Sequence, residues 1–387
     1  MATAGRRLQS AVRDAATRSA DNARYSRAVL EALNGVIPFD AACLASADPA
    51  VLLPTSLTTV GYEVPDVYPI VLDIEFGDGD EPTRLDSLRH KPVPIRTLRE
   101  ATQGRVGASR LYADVLRPSG LDDEVRMLFR DRGGQCWGAL TIARRPGREF
   151  SDAEVDLLGA VLPDVADGWR TVLFRDSADV VDGSPDGPAI AVVNRGDELE
   201  SVTPAALDYF DRLGWRPDSG LAPIPVAAVA TWLRRSECAS VVLRARTRDG
   251  QLLTIHAGEY DGEPASGRVV LSIQEARLPH IVSLAALAHG LTRRETEVLA
   301  HLLAGRSQSL IAQGLFISAY TVQDHMKHIY AKTGVSSRRA LVAKLLQSEY
   351  LPRLGTHLGS DGWFTAARQR PEVTASGGRP PPRGTPP

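Results

Sequence analysis

Residues 291–338 read LTRRETEVLAHLLAGRSQSLIAQGLFISAYTVQDHMKHIYAKTGVSSR. Hydroxyl residues stand at 292, 307 and 318, each followed by apolar positions at helical spacing. Thr292 and Glu295 form T-x-x-E, in which each side chain reaches the other's backbone amide, so a helix is expected to begin there. Val298, Leu299, Leu302 and Leu303 make its buried stripe, and Gly305 ends it. Ser307 opens a second helix with Ile311, Ala312 and Leu315 inward. Leu310 stands where a carboxylate would close the second box. Gly314 costs this helix roughly 1 kcal/mol against alanine, so tertiary packing must hold it.

A turn at Phe316-Ile317 leads to Ser318, the expected N-cap of a third helix. Val322, Met326 or His325, Ile329 and Thr333 share one face of that helix. Tyr320, Gln323, Asp324, Lys327 and Ala331 share the opposite one. A core-facing helix needs only the first stripe. The second is polar and mixed in hydrogen-bonding character, which suits base edges in a DNA major groove. Gly334 closes the helix. Ser336 or Ser337 caps a fourth, whose apolar side is Leu341, Val342, Leu345 and Leu346.

This segment resembles the LuxR-type helix-turn-helix domain of bacterial transcription regulators. The matching positions are Leu291-Thr292, Glu295, Val298-Leu299, Gly305, Ile311-Ala312, Leu315, Ile317-Ser318, Thr321-Val322, His325, Ile329, Lys332, Val335 and Ser337-Arg338. The family usually has Glu at the place of Leu310 and often Lys at that of Gln323. The first departure weakens a helix start. The second replaces a guanine-favouring cation with an amide that pairs with adenine.

The resemblance implies double-stranded DNA as the partner. Gln323, Asp324 and Lys327 are the expected base contacts. Ser318, Tyr320, Thr321, His328, Lys332 and Arg338 are the expected phosphate contacts, which set register without reading sequence. One such domain is small for tight specific binding, so a homodimer is expected, with Leu341 and Leu345 of the last helix as its contact; core packing against the first helix is the alternative for the same two residues. RNA polymerase would be a further partner of an activator.

The 387 residues predict two or three domains. Hydrophobic content of 43% with 24% charged residues is that of an ordinary soluble protein. No apolar run approaches the roughly 20 residues of a membrane span, and the N-terminus lacks a signal core, so a cytoplasmic protein without a membrane partner is expected. Cys43, Cys136 and Cys238 lack metal-ligand or redox spacing and read as free thiols.

A net charge of −2 hides an asymmetry. Residues 283–350 carry eight Lys and Arg against four Asp and Glu, and the tail from 351 carries five against two. The rest carries 32 against 41, so positive charge gathers where phosphate contact is expected.

Upstream, 22–38 reads as a helix on Tyr25, Val29, Leu30 and Leu33. Strand-like stretches follow at 41–45, 51–60, 111–116, 124–130 and 136–144, the last two joined through Gly133-Gly134. Ser151 and Glu154 open a further helix. This pattern, and WGALTIARRPGREFSDAEVDLL in particular, resembles a GAF sensor domain; an α/β unit that only dimerises or spaces the reader is the alternative.

From 187 to 275, strands at 189–193, 241–246, 252–257 and 269–274 and a helix from Thr203 through Leu213 resemble a PAS-type domain, with 214–240 fitting poorly. The expected organisation is an N-terminal extension at 1–21, a GAF-like α+β domain at 22–172, a PAS-like α+β domain at 185–276, an all-α four-helix LuxR-type domain at 284–350 and a disordered Pro/Gly-rich tail at 355–387.

No P-loop, HExxH, G-x-S-x-G or dinucleotide fingerprint is present, so no enzyme activity is expected. No cofactor is expected either. His256 stands alone in a strand, and His325 and His328 belong to the reading helix. The expected function is sequence-specific DNA binding under the control of a signal, with an unknown small-molecule effector as one such signal. A helix-turn-helix that contacts only protein, and a small-molecule enzyme in the GAF-like region, are the competing readings.

Overall fold

A computed structural model describes residues 2–62, 64–77, 79–173, 185, 187–217, 221–259 and 267–347, together with the short strands His357–Leu358 and Phe364–Thr365. The remainder of the expected tail at 355–387 lies outside the described residues.

The chain begins with α1 (Ala2–Arg18) and α2 (Asn22–Asn34), the latter capped by Asp21, whose carboxylate accepts from the Arg24 amide at 2.7 Å. An antiparallel sheet follows: β1 (Ala41–Ala47), β2 (Pro54–Val60), β3 (Ile95–Thr97), β4 (Asp123–Arg130) and β5 (Cys136–Arg144). Its strand order is β2-β1-β5-β4-β3. Between β2 and β4 run α3 (Val64–Phe76), one turn of α4 (Leu98–Ala101) and short helical turns. After the sheet comes α5 (Asp152–Leu173).

Side chains alternate across β4. Val125, Met127 and Phe129 face α1, α2 and α5, in one core with Tyr25, Val161, Val165 and Trp169. Tyr25 donates to the Val165 carbonyl at 3.0 Å and meets Trp169 edge-on at 5.3 Å. A Cβ at Gly168 would lie 1.9 Å from the Tyr25 hydroxyl oxygen, so only glycine lets α5 approach α2 here. The β4–β5 hairpin turns through Gly133-Gly134 as its sequence predicts. Asp131 pins it by accepting from the Trp137 indole at 2.8 Å.

Two expectations for this domain are corrected. Within the extension expected at 1–21, Ala2–Arg18 forms α1 and joins the first domain's core. Leu8 and Val12 on α1 are buried in the same core as α5, because the exposed side of α5 is itself apolar and needs a cover. Residues 111–116 form no strand. Tyr112–Leu116 is a wide helical turn that buries Val115 and Leu116 beneath α3; a short apolar run does not by itself distinguish strand from helix.

A second antiparallel sheet contains β6 (Ala189–Val193), β7 (Leu199–Val202), β8 (Ser240–Arg246), β9 (Leu252–Glu259) and β10 (Val269–Glu275), ordered β7-β6-β10-β9-β8. In both sheets the first strand therefore lies between the second and the last. Two helices, α6 (Pro204–Arg212) and α7 (Ile224–Arg235), cover one face with Phe210, Val226, Val229 and Leu233. The poorly fitting region 214–240 contains α7, a helix hidden by continuous small apolar residues. Leu53, Tyr68 and Leu72 of the first domain belong to this second core.

The chain then enters α8 (Leu278–Ala288), apolar on two sides. Ile281, Leu284 and Ala288 pack into the first domain, while Val282 and Ala285 pack into the core of the helical domain. Arg170 of α5 donates to the Ala288 carbonyl at 3.0 Å. The helical domain thus starts on a helix shared with its neighbours, ahead of the expected boundary at 284. Four further helices complete it: α9 (Arg293–Leu303), α10 (Gln308–Leu315), α11 (Ala319–Thr333) and α12 (Arg338–Gln347).

Candidate nucleic-acid interface

The local chemistry of the helical domain fixes α11 at both ends. Thr292 and Glu295 form the complete capping box of α9: Glu295 accepts from the Thr292 amide at 2.7 Å, and Thr292 accepts from the Glu295 amide at 3.3 Å. Ser307 caps α10 by accepting from the Leu310 amide at 3.4 Å, without a closing carboxylate. The turn then passes through Phe316 in the left-handed region (φ 54°), its ring 95% exposed. Ser318 caps α11 by accepting from the Thr321 amide at 3.0 Å. Gly334, at φ 69°, ends the helix.

Val322, Ile329 and Thr333 of α11 are buried, and Met326 packs against the same core. Tyr320, Gln323, Asp324, Lys327 and His328 are exposed on the other side, Tyr320 to 77%. The exposure holds with all described upstream residues in place. Among those residues Gln323, Asp324, Lys327 and His328 have no hydrogen-bond or ion-pair partner. The polar stripe is therefore presented as a surface and spends none of its donors inside the protein. Gln323 offers an amide, Asp324 an acceptor and Lys327 a cation to anything lying along the helix.

Other expected contacts are engaged differently. Lys332 donates to Glu295 at 2.7 Å and to the Gly290 carbonyl at 3.1 Å. Burial alone would push the Glu295 carboxyl up. The hydrogen bonds from Lys332 and Thr292 outweigh it and hold the group below the usual carboxylate range. Lys332 is thus a brace between α11 and the start of α9, with its side chain still 35% exposed.

Arg338 donates to the Leu302 carbonyl at 2.9 Å, which also accepts from the Gly305 amide at 3.1 Å, so it adds a second bond at the C-terminal end of α9. Leu341 and Leu345 are 0% and 1% exposed, closed among Val298, Leu302 and Ile329. They fill the domain's own core, which is the packing alternative expected for them rather than the dimer contact. Ser318 and Thr321 are joined to each other through their hydroxyls at 2.8 Å, at the exposed N-terminus of α11.

Two positioning contacts escape the helical pattern. Gln308 donates to the Ala319 carbonyl at 2.6 Å, fixing the angle between α10 and α11. Lys344 donates to the Thr333 carbonyl at 2.7 Å, at the far end. Both join a side chain to the backbone of another element, and no residue spacing reports such a contact.

The sequence pattern described as bacterial regulatory proteins, luxR family, matches residues 289–345. The C-terminal domain is a LuxR-type helix-turn-helix. The probable transcriptional regulatory protein NarL of Mycobacterium tuberculosis is 39% identical over 67 residues, 17% of this chain and 31% of that protein. The uncharacterized transcriptional regulatory protein YhcZ of Bacillus subtilis is 33% identical over 92 residues, 22% of this chain and 38% of that protein. The chain thus spans about a third of the length of the curated relatives it matches.

Among solved structures, the Vibrio cholerae VqmA dimer without its target DNA is similar at 18% identity over 44% of this chain and 89% of that one, with a TM-score of 0.21. Escherichia coli SdiA is similar at 13% identity over 87% and 94%, with a TM-score of 0.29. Scores of this size give no common overall arrangement. No helix among the described residues is long and apolar enough to cross a membrane.

Proposed function

We propose that this chain is a DNA-binding transcription regulator whose α11 enters the major groove, under the control of a signal received by the two sheet domains. The observation that carries this reading is the unpartnered polar stripe of α11, exposed while the opposite stripe is sealed in the core. Gln323, Asp324 and Lys327 read base edges in it, Asp324 by accepting from cytosine or by orienting Lys327. Tyr320, Ser318, Thr321 and His328 lie where the helix N-terminus and its flank meet the phosphates, and a helix N-terminus favours anions.

The sheet domains are GAF-like and PAS-like in this reading, and their strand orders and covering helices support it. Reading a two-fold site requires a homodimer, since one module of this size covers too little DNA for specific affinity. Leu341 and Leu345 being internal, the pairing surface belongs elsewhere on the chain.

The test is enrichment of random DNA duplexes on the full-length protein. A recurring, two-fold sequence motif is expected. Retention of all duplexes alike, or of none, contradicts the reading.

A further inference from the structure

The face of the first sheet that turns away from α1, α2 and α5 carries an unusual row. Arg126 on β4, Thr141 on β5 and Cys43 on β1 are laterally paired, and Glu124 lies one pleat along from Arg126. Arg126 and Glu124 have side chains only 5% and 3% exposed. Burying a charge is costly unless every polar atom is matched.

Most of them are. Arg126 donates to Glu75 of α3 at 2.6 Å and to the Thr83 carbonyl at 2.8 Å. Two atoms are not matched. The Oε2 of Glu124 and the Nε of Arg126 stand 3.7 Å apart, too far for a hydrogen bond, and neither has another partner among the described residues. Burial, reinforced by Glu75 and Asp123 and opposed by Arg126, raises the Glu124 carboxyl to about 7. A neutral head beside it is therefore favoured over an anionic one.

These residues line a cavity of about 460 Å³ between the sheet and α3. Small-molecule sites occupy roughly 300–1,000 Å³, mostly apolar with a few convergent polar groups. The walls here are Leu57, Leu72 and Leu128, and Trp232 and Arg235 of α7 add to the lining from the second domain. Arg235 holds Asp73 of α3 at 2.7 Å, so the two domains are bonded to each other beside the cavity.

We propose that this cavity binds a small, neutral, mainly apolar molecule whose head both donates and accepts a hydrogen bond, seated on Glu124 and Arg126 beneath α7. The head donates to Glu124 Oε2 and accepts from Arg126 Nε, removing both unmatched atoms at once, while the chain lies along the leucines. Contact with both sheet domains makes occupancy sensitive to how α7 sits on α3. The proposal deepens the sensory reading of the upstream domains and is independent of DNA binding.

Titration of the full-length protein, without DNA, with octanamide and with methyl heptanoate tests it by calorimetry. The two probes match in size, but the ester lacks a donor. Octanamide is expected to bind about tenfold more tightly, the factor a single well-placed hydrogen bond supplies. Glu124→Leu should erase that preference while leaving the ester's affinity within about threefold. Leu57→Trp, at the edge of the cavity, should abolish binding of both while the circular dichroism spectrum stays unchanged. Equal affinity for the two probes, binding of neither, a preference that survives Glu124→Leu, or binding that survives Leu57→Trp overturns the proposal.

Discussion

The Arg244 guanidinium of β8 closes on the Asp48 carboxylate at the end of β1, joining the two sheet domains through a bond with almost no solvent access. Arg244 donates to Asp48 from its side chain and its amide, both at 2.9 Å, and its remaining Nη1 reaches the Ser283 hydroxyl of α8 at 3.2 Å. One residue thus touches the first domain, the second domain and the helix that enters the helical domain.

Removing one partner of such a pair leaves a buried charge unanswered. Asp48→Ala should lower stability by about 3–5 kcal/mol in a urea titration followed by tryptophan fluorescence. The pooled replacement Asp48→Leu with Arg244→Leu should recover most of that loss. A loss under about 1 kcal/mol for Asp48→Ala would show the pair to be solvated.

The brace from Lys332 to Glu295 predicts a different signature from a phosphate contact. The Lys332 side chain is 35% exposed, which discounts the bond. Lys332→Ala should therefore cost about 1 kcal/mol of stability. The slope of log affinity for DNA against log salt should stay as in the wild type. A slope shallower by about one would return Lys332 to the phosphate backbone.

Leu345 is enclosed in the helical core, so Leu345→Ala should destabilise that domain by about 2–5 kcal/mol. Thermal unfolding of this variant should shift by the same amount at low and high protein concentration. A shift that vanishes on dilution would place Leu345 in an interface between copies.

The Glu124 carboxyl carries a pH dependence whose sign is fixed by its raised folded value. An unfolded carboxyl titrates near its ordinary 4.5 and the folded one near 7. Between those values the folded chain holds more protons. The stabilisation is therefore complete below about 4.5 and is lost as pH rises through 7. Glu124→Gln should flatten this fall, raising the melting temperature relative to wild type at pH 8 more than at pH 5. Equal shifts at the two pH values would locate the titration elsewhere.

Legibility followed the range of the interactions. The capping box at Thr292, the cap at Ser318 and the two stripes of α11 are set by residues within one or two helical turns, and the sequence displays them directly. The hairpin at Gly133-Gly134 is equally local. Lys332 and Arg338 fit their family positions as well as any other residues do. Lys332 bonds to Glu295, Arg338 bonds to the end of α9, and Leu341 and Leu345 enter the core, and nothing nearby in the sequence says so. Helix α1 and α7 were hidden for related reasons: α1 gains its apolar partner from α5 some 150 residues on, as the Arg13–Asp164 pair also shows. The cavity residues Glu124 and Arg126 look like ordinary solvated charges until β4 shows them on a buried face.

The central claim is that the exposed stripe of α11 reads DNA. Fluorescence anisotropy of the full-length protein on its enriched duplex, for wild type, Gln323→Ala and Lys327→Ala, tests it most directly. Each substitution should weaken binding by about 1–3 kcal/mol and relax the preference at one base position, with the unfolding midpoint unchanged. Wild-type affinity and an unaltered preference in both variants would contradict the account.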